Sequence, residues 1–218
     1  MFLKVNNLQK SYGITKVLRG LSFEIDYSKD LAIVGSSGCG KSTLLYALGG
    51  LETPDQGDII IDGIDISTLT DEELAKFRNE SIGFVFQFHF LLPSMNCLDN
   101  MLLPARIGGH SVKEVRGRIL DFAKILKVEH CLKKYPFEIS GGEQQRVNII
   151  RAISLNPKLL LCDEPTGNLD SHNTHTVLDL LRSLSEKIDS TLIVVTHDKS
   201  VADSFHQKIT IEDGQIIR

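Results

Sequence analysis

Nothing in this sequence narrows its possible folds as sharply as the run GSSGCGKS at Gly35–Ser42, with Thr43 directly behind it. The run fits the pattern G-x-x-x-x-G-K-[S/T], which carries meaning only where a strand enters the loop and a helix leaves it. Both flanks are legible. Leu31–Val34 is a continuous apolar stretch ending at Gly35, as expected of a strand buried on both faces, and Gly40 to Leu48 reads as a helix. Glycines let the backbone aim its N–H groups at phosphate oxygens, and the helix N-terminus adds a favourable dipole. In such a loop Gly35, Ser36, Ser37, Gly38, Cys39, Gly40 and Thr43 surround the phosphates. Lys41 reaches the β- and γ-phosphates of ATP, and the Ser42 hydroxyl ligates Mg2+. At average residue usage the pattern arises by accident in roughly one chain of this length in a hundred. With its flanks in place, a nucleotide site is the expectation.

Two further segments bear on that site. LLLCDEP, Leu159–Pro165, is an apolar run followed by two acids, the pattern of a buried strand delivering carboxylates to its carboxyl end. Asp163 is placed to hold Mg2+ and Glu164 to polarise an attacking water; without the phosphate loop, the pair would read equally well as strand-end punctuation. ISGGEQQR, Ile139–Arg146, sets Ser140, Gly141 and Gly142 before an apparent helix, making a second anion-binding terminus. Either Ser140 is an ordinary N-cap with Glu143 completing a capping box, or the loop meets the same nucleotide from another subunit.

The rest of the chain frames these motifs. Leu21, Phe23 and Ile25 alternate as in a half-buried strand, and Ile59–Ile61 and Ile82–Phe86 look like further strands. From about Phe88 to Ser154 the spacing turns helical, with helices over Asp99–Ile107 and Ser111–Leu126; Pro93, Pro104 and Gly108-Gly109 read as breaks. Strand and helix then alternate through Leu159–Cys162, Ser171–Ile188 and Leu192–Val195. Such a frame predicts an α/β core over 1–87 and 155–218 of a single domain, with a helical subdomain inserted at 88–154. Lysines and glutamates between Lys113 and Lys134 read as a solvated helix face.

Composition excludes several classes. With 24 Lys+Arg against 28 Asp+Glu the net charge is 24 − 28 = −4, which weakens any case for nucleic-acid binding through bulk charge. Apolar stretches such as Leu192–Val195 fall far below the roughly 18 residues of a spanning helix. The opening MFLKVNNLQK lacks a signal-peptide pattern. Cys39, Cys97, Cys131 and Cys162 are scattered, suggesting a reducing compartment and neither a zinc site nor a disulfide framework. A thiol at Cys39, near a helix start and Lys41, allows a redox switch; a small tolerated residue is the plainer reading.

Taken together and in this order, the phosphate loop, ISGGEQQR, CDEPTGNLD and THD resemble the ATPase subunit of ABC systems over essentially the whole chain. The resemblance implies a P-loop core with an N-terminal antiparallel β subdomain and an inserted helical subdomain. It also implies a head-to-tail dimer with ATP between one subunit's phosphate loop and the other's signature loop. Carried over residue by residue, Tyr12 in SYG would stack on adenine, a contact worth roughly 1–3 kcal/mol per base. Gln87 in FVFQ would touch Mg2+, Ser140, Gly141, Gly142 and Glu143 would face the partner's γ-phosphate, and Asp170 would lie at the dimer seam. His197 would hold the γ-phosphate and orient Glu164. Catalysis would rest on Glu164, His197 and Lys41, with Ser42, Gln87 and Asp163 toward the metal.

Ala32–Gly57 and Gly83–Gly109, above all QFHFLLP at Gln87–Pro93, are similar to the lipoprotein-release branch of Gram-negative bacteria. That branch implies transmembrane permease subunits of the LolC/LolE kind and a peripheral place on the cytoplasmic face of the inner membrane. Lipoprotein cargo would be contacted indirectly. The apolar Phe88, Phe90, Leu91 and Leu92 would meet the permease helices; packing within the subdomain is the alternative. Phe90 stands where the branch usually has a second histidine, Asn148 and Ile150 replace small residues, and Ile139 replaces a leucine. Macrolide-exporter and cell-division types share much of this pattern, and an ATP-driven clamp that moves nothing is the reading from another class.

Overall fold

The computed structural model describes residues 1–165 and 171–217. In chain order the elements are β1 (Leu3–Tyr12), β2 (Thr15–Ile25), β3 (Asp30–Val34), α1 (Lys41–Leu48), β4 (Gln56–Ile61), β5 (Ile64–Asp65), α2 (Asp71–Ser81), β6 (Ile82–Val85), α3 (Cys97–Ile107) and α4 (Val112–Ile125). There follow α5 (Gly141–Ile153), β7 (Leu159–Asp163), α6 (Ser171–Lys187), β8 (Thr191–Thr196), α7 (Lys199–Ala202), β9 (Gln207–Glu212) and β10 (Gln215–Ile216). Short 3-10 turns occupy Ile66–Thr68, Glu129–Cys131 and Pro136–Glu138.

Two sheets organise the chain. One is antiparallel, in the order β2-β1-β4-β5; the other runs β10-β9-β3-β8-β7-β6 and is parallel from β9 to β6. Every residue of β3, β7 and β8 is buried, as a sheet covered on both faces requires. Because side chains alternate along a strand, each of these strands feeds two cores. Leu31, Ile33, Leu159, Leu161, Ile193 and Val195 pack with the antiparallel sheet and α1. Their neighbours Ala32, Val34, Leu160, Cys162, Leu192 and Val194 pack with α3, α4, α5 and α6. Helices α3 to α5 fall between β6 and β7, where the helical spacing placed them.

Pro104 does not break its helix. It lies inside α3, whose C-cap is Gly108; its carbonyl accepts from the Gly108 N–H and from Asn79 Nδ2. Proline forgoes its own i→i−4 bond, yet α3 continues past it to Ile107 and closes on the Pro104 carbonyl. Strand β6 stops at Val85, one residue short of the expected end. The charged residues of α4 lie outward, while Val115, Ile119, Phe122 and Ala123 are buried. Helix α2 was not apparent from apolar spacing, since only Phe77 of its residues is buried; its start is a capping box made by Thr70 and Glu73.

Sheet and phosphate-loop helix meet tightly at Gly49, the C-cap of α1. A Cβ there would lie 1.8 Å from Cζ of Phe84, whose ring stacks on Phe86 at 5.2 Å. Gly49→Ala should therefore lower stability by about 1–3 kcal/mol through overpacking, read as a lower urea midpoint with unchanged slope.

Candidate active site at the carboxyl ends of the parallel strands

The strand order decides what meets what. β3, β8, β7 and β6 are consecutive neighbours, and register pairs Val34 with Thr196, Val195 with Asp163, and Cys162 with Val85. The segments that leave these four carboxyl ends therefore lie side by side: the glycine-rich loop, His197, Asp163-Glu164 and Gln87. They enclose a cavity of about 710 Å3 lined by Val17, Ser37, Gly38, Gly40, Lys41, Ser42, Thr43, Gln87, Asp163, Glu164 and His197.

The first turn of α1 differs from those of α2 to α5. Thr70, Asn96, Ser111 and Ser140 each cap their helix with a side-chain oxygen, whereas Gly40 caps α1 with none. Gly40 has φ 106°, a left-handed conformation that L side chains rarely adopt, and a Cβ on it would lie 2.9 Å from the Val17 carbonyl oxygen. The helix therefore presents unpaired N–H groups to the cavity, where an anion would satisfy them. Lys41 is buried in the loop, its Nζ donating to the carbonyl oxygens of Ser36 (2.7 Å) and Gly35 (3.0 Å). Cys39 is buried beside it, its Sγ 4.0 Å from that Nζ.

Asp163 ends β7 buried and doubly bonded. Its Oδ1 accepts from Ser42 Oγ at 3.1 Å and its Oδ2 from the Tyr46 hydroxyl at 2.8 Å. The donor set of hydroxyl and carboxylate oxygens suits a hard cation such as Mg2+. Glu164 follows with φ 43°, its N–H donating to the Val195 carbonyl, and its Oε2 lies 2.8 Å from Nδ1 of the largely exposed His197. Backbone strain is tolerated where surroundings hold it, and here β8 does so.

Tyr12 ends β1 half exposed, at 50%. Its hydroxyl donates to Glu52 Oε2 (2.8 Å), and Lys10 Nζ sits 5.4 Å from its ring centroid while pairing with Glu52. Burial and Glu52 raise the phenol's pKa, while the nearby Thr43 side chain opposes the rise, so the ring stands next to the phosphate loop. Ser140, Gly141, Gly142 and Glu143 do not line the cavity. Ser140 and Glu143 form the capping box of α5, with Ser140 N–H and Oγ both donating to Glu143 Oε2. A Cβ on Gly141 or Gly142 would meet nothing within 4 Å, so this chain by itself has no steric need for glycine at either position. Asp170 lies outside the described residues.

A second, apolar cavity of about 480 Å3 opens between α2, β6, α3 and the end of α5, with Phe84, Phe86, Phe90, Leu103, Pro104 and Ile107 among its walls. Phe88 and Phe90 are 65% and 63% exposed, and Leu92 is exposed too, but Leu91 packs into the helical core, so the apolar surface lacks that expected member. Arg151, its pKa lowered by burial to about 10, donates to the carbonyls of His89 and Phe90 and to Asn148 Oδ1. Asn148 Nδ2 reaches the Phe86 carbonyl at 3.3 Å. Helix α5 is thereby tied to the segment containing Gln87.

Comparison with known proteins accords with this geometry. The ABC transporter family model matches residues 18–167. The chain belongs to the ABC transporter family. Over 215 residues it is 42% identical to the lipoprotein-releasing system ATP-binding protein LolD of Cytophaga hutchinsonii, covering 99% of this chain and 98% of that protein. It is 41% identical over 217 residues to the protein of that name from Bdellovibrio bacteriovorus, covering 98% and 99%. The dimeric structure of MJ0796, a bacterial ABC transporter cassette, matches with a TM-score of 0.90 at 38% identity, covering 99% of this chain and 97% of that one. A post-hydrolysis structure of MJ0796 bound to ADP and Pi matches with the same TM-score at 37% identity. The fold is thus the P-loop cassette of ABC proteins. Among the described residues no helix is long and apolar enough to cross a membrane.

One residue of this ABC site escaped sequence reasoning. Tyr46 lies four residues after Ser42 and so on the same face of α1, a spacing that would have put its phenol beside Asp163. Burial and the Asp163 carboxylate push that phenol up to about 12. Its pKa being raised on folding, its contribution is whole below pH about 10 and is lost as pH climbs toward 12. Tyr46→Phe should remove both the latest-ionising tyrosine from a spectrophotometric titration and that step from the alkaline stability profile.

Proposed function

We propose that this chain is the ATP-binding, ATP-hydrolysing subunit of a lipoprotein-releasing ABC system. It would be peripheral on the cytoplasmic face of the inner membrane and docked on transmembrane permease subunits. The observation that carries the reading is the gathering of Lys41, Ser42, Gln87, Asp163, Glu164 and His197 around one cavity at the strand ends. In this reading ATP phosphates take the unpaired N–H groups of the loop and α1, Lys41 turns from loop carbonyls to the β- and γ-phosphates, and Tyr12 receives the adenine. Ser42 and Asp163, with Gln87 beside them, would hold Mg2+, which would neutralise phosphate charge when bound. Glu164 accepts the proton of the attacking water, and His197, on its other side, fixes that carboxylate and meets the γ-phosphate.

The open space over Gly141 and Gly142 supports a head-to-tail pair of copies, since glycine there makes sense where a phosphate on a second chain approaches the backbone closely. Ser140 then keeps its capping role, so the two readings of that loop are compatible. Glu164→Gln should lower ATP turnover at least about a hundredfold, as expected for loss of a general base. ATP binding should persist, and an ATP-bound dimer should accumulate on size exclusion. Ordinary turnover in this variant would remove Glu164 from its assigned role.

Cargo class rests on full-length similarity to proteins named for lipoprotein release, and docking rests on the apolar cavity beside the Gln87 segment. A cytoplasmic helix of a permease fits such a groove, with Phe88 and Phe90 at its exposed rim. Phe90→Glu should abolish retention of the chain in the membrane fraction while leaving basal ATPase activity of the isolated protein intact. Mass spectrometry of what copurifies with Glu164→Gln plus ATP from solubilised membranes should recover permease subunits with lipoprotein attached. Recovery of soluble partners alone would leave the ATPase chemistry and overturn the transport assignment.

A further inference from the structure

We propose that His130, Cys131 and Glu143 form a binding site for a thiophilic divalent cation of the zinc class, outside this chain's own cavity at the strand ends and at the start of the helix proposed to meet a second copy. His130 and Cys131 are consecutive on the 3-10 turn Glu129–Cys131, and Glu143 stands in the first turn of α5. Nε2 of His130 lies 2.6 Å from Glu143 Oε1 and 3.4 Å from Cys131 Sγ, and one donor atom from each residue falls within 4.8 Å of the others. Metal–ligand bonds of 2.0–2.3 Å in a tetrahedral site put donor atoms about 3.3–3.7 Å apart. The set therefore needs an opening of about 1 Å between His130 and Glu143, and His130 is exposed enough to provide it.

Glu143 has an oxygen to give. Its Oε2 is engaged by Ser140 N–H and Oγ, at 2.8 and 2.7 Å, while Oε1 faces His130. A cation can thus take Oε1 without undoing the cap of α5. On binding, the Cys131 thiol releases its proton to solvent, and thiolate plus carboxylate balance a divalent charge. Burial and the neighbouring Glu143 push the free thiol up to about 11, so the cation must displace its proton, while the positive charge of Lys134 favours the thiolate. Thiolate and imidazole donors favour zinc-like ions over Mg2+ or Ca2+, which distinguishes this site from the oxygen-lined one at Ser42 and Asp163. Cys131 is buried and His130 is at the surface, which gives a shielded soft donor with an entry path and leaves a fourth position to water.

The test is titration of the full chain with Co2+ alone, reduced and free of nucleotide. One equivalent should bind with a near-ultraviolet thiolate-to-cobalt charge-transfer band, and equimolar Zn2+ should displace it. Losing an outer-shell partner of a metal ligand costs roughly 10–100-fold in affinity, so His130→Ala, losing a ligand, should cost at least about tenfold. Cys131→Ser should remove the band; because Cys131 is buried, the exposed His130 variant carries the test if that protein fails to fold. Binding without a thiolate band, or with affinity unchanged in His130→Ala, would overturn the site and reduce the cluster to a helix cap with a hydrogen-bonded histidine.

Discussion

The buried carboxylate of Asp163 holds this molecule's working end together. A charged group taken from water must find partners, and Asp163 finds both on α1, in Ser42 and Tyr46. That pair of bonds fixes the end of β7 to the helix that follows the glycine-rich loop. Glu164, His197 and Gln87 then take their places from the strands on either side. Register matters because a slip of one residue would turn every inward side chain outward. In β3, β7 and β8 both faces are packed, so such a slip would scramble two cores at once.

The cavity at the strand ends and the apolar groove beside α2 and α3 are linked by one stretch of backbone. Gln87 lines the first and Phe86 and Phe90 line the second. Asn148 and Arg151 on α5 hold the carbonyls of Phe86, His89 and Phe90. The same helix begins at Ser140. Helix α5 thereby joins the groove, the Gln87 segment and the loop that is proposed to meet a second copy. Asn148, a departure from the small residue usual in its motif, is part of that tie and not a neutral replacement.

Strongly patterned local features were legible in the chain. The glycine-rich loop between Val34 and Lys41, the apolar runs of β3, β7 and β8, and the Ser140–Glu143 box announce themselves because their chemistry is written over a few consecutive residues. Features that depend on surroundings were not. Pro104 reads as a break, yet lies inside α3, where its carbonyl is held by the Gly108 N–H and by Asn79 Nδ2 from α2. Leu91 reads like its neighbours at the surface but packs inward, because the loop after Gln87 is pinned by Asn100, whose side chain bonds both the N–H and the carbonyl of Leu92.

By itself, the sequence determined that a phosphate-binding loop would be delivered by a doubly buried strand, that acids would follow a second such strand, and that a helical segment would separate them. Backbone propensity and burial act within each segment, so they can be read there. The tertiary structure alone decided that β3, β8, β7 and β6 stand in that order, which brings His197 to Glu164 and Tyr46 to Asp163. It alone drew His130 and Cys131 against Glu143 and opened a groove beside Phe90. Such contacts join residues far apart in the chain, and their positions follow from how two cores close around one sheet.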